Sequence, residues 1–201
     1  MASGDPLADR IMLWTHAQFP DSSADVSLTW EVANDAAFTA VVSSGSATAT
    51  AATGHTVKAD AGGLAPGRDY FYRFRFGAQS SPVGRTRTLP PAGVAQVRLA
   101  VMSCSNFPAG FFHAYSEVTR SGAQFALHLG DYIYEYPTGV YTGVNAPAER
   151  LQASPATELI TLSDYRRRYA QYRSDPDSKV MHAALPLIAI WDDHELSLIH
   201  I

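Results

Sequence analysis

Three short polar clusters carry the residue types that do chemistry in this 201-residue chain. They are Ser103-Cys104-Ser105-Asn106, Gly130-Asp131-Tyr132-Ile133-Tyr134-Glu135 and Trp191-Asp192-Asp193-His194-Glu195. Asp131 and Asp193 are carboxylates that can bridge cations and offset their mutual repulsion. His194 can be a metal ligand or can donate a proton to a leaving oxygen. Asp192, Asp193 and Glu195 stand side by side, and ionising all three is costly without a cation or an arginine nearby. A solvated acidic loop is the bland alternative. Cys104 is a poor candidate for a phosphatase nucleophile: that chemistry needs an arginine about six residues on to close the phosphate loop, and Gly110 stands there. A thiolate bound to a transition metal, or a small buried hydrophobe, are the readings left open. Tyr134 lies three residues beyond Asp131. A turn there can aim both side chains at one ion, as a phenolate ligand of ferric iron, or the ring can simply pack.

Each cluster follows an apolar run. Val97–Ser103, Gln124–Leu129 and Leu185–Trp191 read as strands of a parallel sheet buried on both faces, with a helix over about Gly110–Ser121 between the first two. Ligands of such sheets bind beyond the carboxyl ends of the strands, which predicts that the three clusters converge. Pro137 to about Thr161 reads as a long loop. Ser163 is placed to cap a helix running to about Arg173, with Tyr165, Tyr169 and Tyr172 on its packed face. The Arg166-Arg167-Arg168 run reads as an exposed face of that helix. His128 reads as a hydrogen-bonded core residue, and Asn106 is left without a role.

Before these elements the pattern is different. Val26, Leu28, Trp30 and Val32 alternate with polar residues, as do Tyr70, Tyr72, Phe74 and Phe76 with Phe71, Arg73 and Arg75. A period of two puts each set on one face of a strand. Arg10–His16 and Val83–Thr88 add strands. The Ala/Thr/Ser stretch 43–53 reads as a strand of weakly specified register. Asn34-Asp35, Gly62-Gly63 and Pro66-Gly67 mark turns. The expected architecture is an all-β sandwich of fibronectin or immunoglobulin type over residues 1–90. A partial α/β domain follows over 96–195, after the boundary at Leu89-Pro90-Pro91-Ala92-Gly93.

Apolar residues make up 46% of the chain and charged ones 17%, which fits a globular protein and argues against disorder. The net charge of −4 argues against nucleic acid as a partner. No run approaches the roughly 18 apolar residues of a transmembrane helix. The N-terminal residues lack the pattern of a signal peptide. One cysteine excludes a disulfide within the chain.

Together the motifs resemble the alkaline phosphatase D (PhoD-like) family within the calcineurin-like metallophosphoesterases. Ala2-Ser3-Gly4-Asp5-Pro6 and Asp9-Arg10-Ile11-Met12-Leu13-Trp14-Thr15 are similar to the opening of that family's N-terminal domain. The Ser-Cys strand end, Gly-Asp-Tyr-Ile-Tyr-Glu and Trp-Asp-Asp-His-Glu follow in the family's order. The resemblance implies metal-dependent hydrolysis of phosphate esters by a metal-activated water. It implies a ferric ion and calcium as cofactors, with Cys104, Asp131 and Tyr134 on the iron, Asp131 reaching to the calcium, and Asp193 a further metal ligand. Asp193 stands where most metallophosphoesterases have the Asn of Gly-Asn-His-Glu. His194 matches the catalytic histidine that meets the phosphate and the leaving group.

The same resemblance implies a phosphate-ester substrate, a monomer when complete, and a secreted, periplasmic or cell-surface setting. Phospholipase D-type cleavage is an alternative within the family. A non-catalytic binding module is an alternative outside it, for which Phe71 between arginines gives thin support. Nothing after Glu195 supplies the further histidine ligands of such domains, so residues 96–195 are expected to be the N-terminal part of one, inactive and marginally stable alone. Leu196–Ile201 departs from the family's polar continuation. It is also what one reading frame of a transposase end sequence encodes, and it reads as a non-native tail.

Overall fold

The structure, a computed structural model, describes residues 1–17 and 24–196. The expected tail lies outside the described residues from Ser197 onward. Strands dominate, helices are few, and the chain divides into two compact units. Of the described residues, the first holds 1–17, 24–99 and 182–188, and the second 100–181 and 189–196.

The first unit contains β1 (Ala2–Gly4), β2 (Arg10–His16), β3 (Val26–Ala33), β4 (Val41–Ala49), β5 (Thr56–Gly62), β6 (Asp69–Phe76), β7 (Gln79–Ser80) and β8 (Gly84–Arg87). β2 pairs antiparallel with β1 on one side and β5 on the other. A second sheet runs β4-β3-β6-β7, with β8 also on β6. Alternation places Ile11 and Leu13 of β2, Val57, Ala59 and Ala61 of β5, Val26 to Val32 of β3, and Tyr70, Tyr72 and Phe74 of β6 inward, in one shared core. Each large aliphatic side chain so buried contributes about 1.5–3 kcal/mol. Phe76, expected on the same face, is exposed at the strand end, where it pairs with Gln79.

The turn at Asn34-Asp35 is closed by the Asp35 carboxylate, which accepts from the backbone N–H groups of Ala37, Thr39 and Ala40. These bonds favour the ionised form and hold the Asp35 carboxyl below its ordinary range. The Ser/Ala/Thr strand β4 is less slippery than its composition implies. Trp30 lies opposite Gly45, and a Cβ on Gly45 would sit 2.7 Å from Cζ2 of the Trp30 ring. Only glycine admits the indole there, which pins the register. Replacing Gly45 by valine is expected to force Trp30 from its buried position and to cost about 2 kcal/mol. A urea titration followed by tryptophan fluorescence measures it; an unchanged midpoint would show that the ring has room.

The second unit contains β9 (Leu99–Met102, from Ala100 onward), α1 (His113–Val118), β10 (Phe125–His128), α2 (Leu162–Tyr172), most of α3 (Pro176–Ala184), the end of β11 (Leu187–Ala189) and α4 (Asp193–Leu196). The strands are shorter than their apolar runs. β9 alternates rather than being buried on both faces, with Leu99 and Val101 exposed. The first helix begins three residues later than expected, because Phe107–Ala109, with Pro108 inside it, forms a 3-10 turn first. α2 is capped by Thr161, not Ser163. Thr161 and Asp164 exchange side-chain and backbone hydrogen bonds, and Ser163 falls inside the first turn. Tyr165, Tyr169 and Tyr172 of α2 pack with Phe107, Tyr132, Ile133 and Leu159, forming the wall behind the strand ends.

Candidate metal centre

The three polar clusters meet at the strand ends of the second unit. The backbone N–H of Cys104 donates to Gly130 O (3.2 Å) and that of Ser105 to Asp131 O (2.8 Å), so the first two ends are cross-linked. Cys104 and Asp131 both adopt left-handed backbone angles, with φ of +60° and +52°. Gly130 has φ of +102°, and a Cβ there would come within 2.8 Å of the Asp192 nitrogen, so a side chain would push the third end away.

Glu195 completes the clasp. Its buried carboxylate accepts from the backbone N–H groups of Asp131 (3.0 Å), Tyr132, Ile133 (3.1 Å) and Asp192 (2.8 Å). It therefore ties the second cluster to the third. Asp192, Asp193 and Glu195 do not crowd one another as a like-charged run, because Glu195 turns inward to these donors.

All five candidate residues gather. Ligand atoms of Asp131, Asp193 and His194 lie within 4.8 Å of one another. The thiol of Cys104 donates to Asp131 Oδ2 at 3.5 Å, and the Tyr134 hydroxyl to the same oxygen at 3.4 Å. Asp131 Oδ1 is buried and has no hydrogen-bond partner. A buried carboxylate oxygen without a donor calls for a cation. Asp131, Asp193 and His194 form a group that could hold a metal ion, and the Cys104 thiol and Tyr134 phenol beside Asp131 are donor types that suit a transition metal. Cys104 is exposed rather than a buried hydrophobe. Tyr134 both packs, with its ring 4.2 Å from that of His194, and presents its hydroxyl to Asp131. Burial, reinforced by the Asp131 and Cys104 charges, pushes the Tyr134 phenol well above its ordinary pKa. For His194, burial pulls the pKa down, but its 2.8 Å hydrogen bond to the buried Glu135 carboxylate, with the charges of Glu135, Asp131 and Asp193, gives a net rise.

Sequence reasoning left Glu135 without a role, counted Glu195 in an acidic run and put Arg168 on an exposed helix face. The two glutamates lie inside the quoted motifs, but nothing local says that one turns to backbone amides and the other to a histidine. Arg168 is not part of an exposed basic face: it is 1% exposed, while Arg166 and Arg167 are exposed. Its guanidinium donates to the carbonyls of Tyr134, Tyr136 (3.1 Å), Ser154 (3.2 Å) and Pro155 (2.9 Å). Its spacing from Tyr165 and Tyr172 is the signal that puts it on the packed side of α2.

Behind Cys104, buried His128 sits 3.0 Å from both Ser105 Oγ and Tyr115 OH, as expected of a core residue. Asn106 Nδ2 donates to Tyr141 O at 2.8 Å.

Two family models match the chain. The PhoD-like phosphatase N-terminal domain covers residues 1–90 and the PhoD-like phosphatase domain residues 99–197. The chain belongs to the PhoD-like phosphatase family. It is 41% identical over 205 residues to alkaline phosphatase D of Bacillus subtilis (strain 168), over 98% of this chain and 34% of that protein. The solved structure of PhoD matches with a TM-score of 0.88 at 41% identity, over 97% of this chain and 38% of that chain. The chain thus spans about a third of the length of these relatives. Among the described residues no helix is long and apolar enough to cross a membrane.

Two outcomes follow from the groups around the centre. Arg168→Met is expected to leave buried carbonyls at Tyr134 and Pro155 without a donor and to destabilise the protein by about 3 kcal/mol. Arg168→Lys should recover less than half, because one ammonium cannot span four carbonyls. Denaturant titration of the three proteins measures this, and a wild-type midpoint for Met would overturn it.

The second outcome concerns His128, which burial depresses to about 4, the Asp131 charge opposing weakly. The unfolded chain binds this proton below about 6.5 and the folded chain only below about 4. Stability from His128 is therefore full above the unfolded value and falls as pH drops from 6.5 toward 4, by up to about 3 kcal/mol. His128→Gln should flatten this part of the stability–pH curve. A slope identical to wild type would show that other groups set it.

Proposed function

We propose that the whole protein hydrolyses phosphate esters at a centre of ferric iron and calcium built on Cys104, Asp131, Tyr134 and Asp193, with His194 as the proton donor. The observation that carries this reading is the convergence of these five side chains from three distant segments, with a buried, unpartnered oxygen on Asp131. Cys104, Asp131 and Tyr134 would hold the iron, Asp131 would also reach the calcium, and Asp193 would be a further ligand. When bound, the ions supply a water acidic enough to attack phosphorus, and positive charge to offset the phosphoryl oxygens.

The chain's own residues do the rest. Glu135 fixes the His194 ring through Nδ1, leaving Nε2 to carry a proton to the departing ester oxygen. Glu195 holds the 131–133 backbone, and so the Asp131 carboxylate, at a set distance from Asp193. Arg168 grips the carbonyls on either side of Glu135, which keeps Tyr134 and Glu135 on the His194 side.

The same reading takes residues 1–90 as a fibronectin- or immunoglobulin-like sandwich, supported by the shared core of its two sheets. It takes 96–195 as the N-terminal part of an α/β metallophosphoesterase domain and 196–201 as a non-native tail. The monomeric state and the secreted, periplasmic or cell-surface setting rest on the family resemblance alone. Two ions need more donors than the four ligands named here, so residues 1–201 by themselves are expected to be inactive.

The test is metal analysis of the purified whole protein beside hydrolysis of a chromogenic phosphate monoester and diester. Iron and calcium should copurify. Chelation should abolish turnover, and His194→Ala should lower kcat by about 10²- to 10⁴-fold with iron retained. A metal-free protein with full activity, or a His194→Ala variant that keeps wild-type kcat, would refute the assignment.

A further inference from the structure

His194 is set in a cluster of tyrosines. The Tyr134 ring lies 4.2 Å from it, that of Tyr136 5.5 Å edge-on, and that of Tyr141 6.4 Å away and nearly parallel, at 23°. Tyr141 also contacts Tyr134 (5.5 Å) and Tyr136 (5.6 Å). Tyr134 is buried and Tyr136 half-buried, but Tyr141 is 59% exposed.

Core packing does not account for Tyr141. The residue stays largely open to solvent despite its ring contacts, and its φ of +56° is a conformation that a bulky residue adopts only at a cost. The backbone is nonetheless held. Asn106, two residues beyond Cys104, donates Nδ2 to Tyr141 O at 2.8 Å, and Gly143 N donates to Pro108 O at 3.4 Å. Arg150, further along the same loop, donates two hydrogen bonds to Gly110 O at 2.9 and 2.8 Å. An exposed aromatic ring on a fixed loop, strained in its backbone and standing beside the reacting histidine, has the properties of a binding surface.

We propose that Tyr141 is a stacking platform for the ester group of the substrate, selecting phosphate esters whose leaving group is a flat aromatic or heterocyclic ring over those of small alkyl alcohols. The proposal rests on the phosphoesterase reading above and adds the substrate class. A ring attached to a phosphoryl group beside His194 meets the face of Tyr141 in an offset-stacked or edge arrangement. A methyl group offers no comparable face. Selectivity would thus come from the loop, while Asp131, Asp193 and His194 deal only with the phosphoryl end.

Phenylphosphonate and methylphosphonate serve as probes, because neither has an ester bond to cleave. Their binding to the metal-loaded whole protein is measured by calorimetry for wild type, Tyr141→Ala, Tyr141→Leu and Tyr141→Phe. Tyr141→Ala and Tyr141→Leu are expected to weaken phenylphosphonate about fivefold, leave methylphosphonate within twofold, and Tyr141→Phe should match wild type. In parallel, kcat/KM for phenyl phosphate should fall by a similar factor through KM, and that for methyl phosphate should hold. Equal losses on both phosphonates, or none on either, would overturn the platform while leaving the phosphoesterase reading intact. A wild-type protein that bound neither phosphonate would bring down both.

Discussion

The arrangement of the centre depends on one buried carboxylate. Glu195 receives four backbone N–H groups, three from the segment after β10 and one from the segment after β11. Those amides lie beyond the ends of regular strands, where no ladder partner takes them, and an unpaired buried donor is costly. Hydrogen bonds to a charged acceptor contribute about 1.5–3 kcal/mol each, enough to offset taking one carboxylate out of water. The geometric consequence matters more. Asp131 and Asp193 are 62 residues apart in sequence, yet the same side chain fixes the backbone of one and lies two residues from the other. A glutamate that reads as one more charge of an acidic run holds the backbone that carries the other two carboxylates.

Two buried arginines do comparable work on the long loop after Glu135. Arg150 pairs with buried Asp175 at 2.6 Å and lies over the Phe107 ring at 3.7 Å while donating to Gly110. Its charge is neutralised by a carboxylate, so breaking either partner would strand the other in a low-dielectric interior. Arg168 instead spreads its donors over main-chain carbonyls on both sides of the loop. A lysine could replace neither, since each site uses the planar fork of a guanidinium. The long loop is thereby anchored to Gly110 and Asp175 through Arg150, and to α2 through the Ser154 and Pro155 carbonyls that Arg168 holds.

What could be read in the sequence was what periodicity and strand-end logic can see. Arg10–His16 forms a strand with those bounds, and Val26 to Val32 turn inward as a period of two requires. The convergence of Cys104, Asp131, Tyr134, Asp193 and His194 followed from placing each after an apolar strand. What escaped depends on contacts far apart in the chain. Arg168 is hidden among arginines, and its burial follows from carbonyls 11 to 34 residues away. Trp30 and Gly45 define a register that composition leaves open, because the steric lock lies across two strands. At Thr161 the error was local. Both Thr161 and Ser163 can cap, and the choice fell to Thr161 because Asp164 stands three residues on and returns the bond.

In the second unit, left-handed backbone at non-glycine positions falls at the centre and beside it. Among its described residues, the non-glycine positions with positive φ are Cys104, Asp131 and Tyr141. Each such conformation costs on the order of 1–3 kcal/mol and survives only where the surroundings over-determine it. The supports can be named in every case. Cys104 is held through its N–H by Gly130, Asp131 by Ser105 and Glu195, and Tyr141 by Asn106. Strain at Cys104 and Asp131 turns the thiol and the carboxylate toward one another, where an extended strand would send successive side chains to opposite faces. The hydrogen bonds around the centre therefore do two things at once: they satisfy buried polar groups, and they hold the chain in the conformation that brings its donors together.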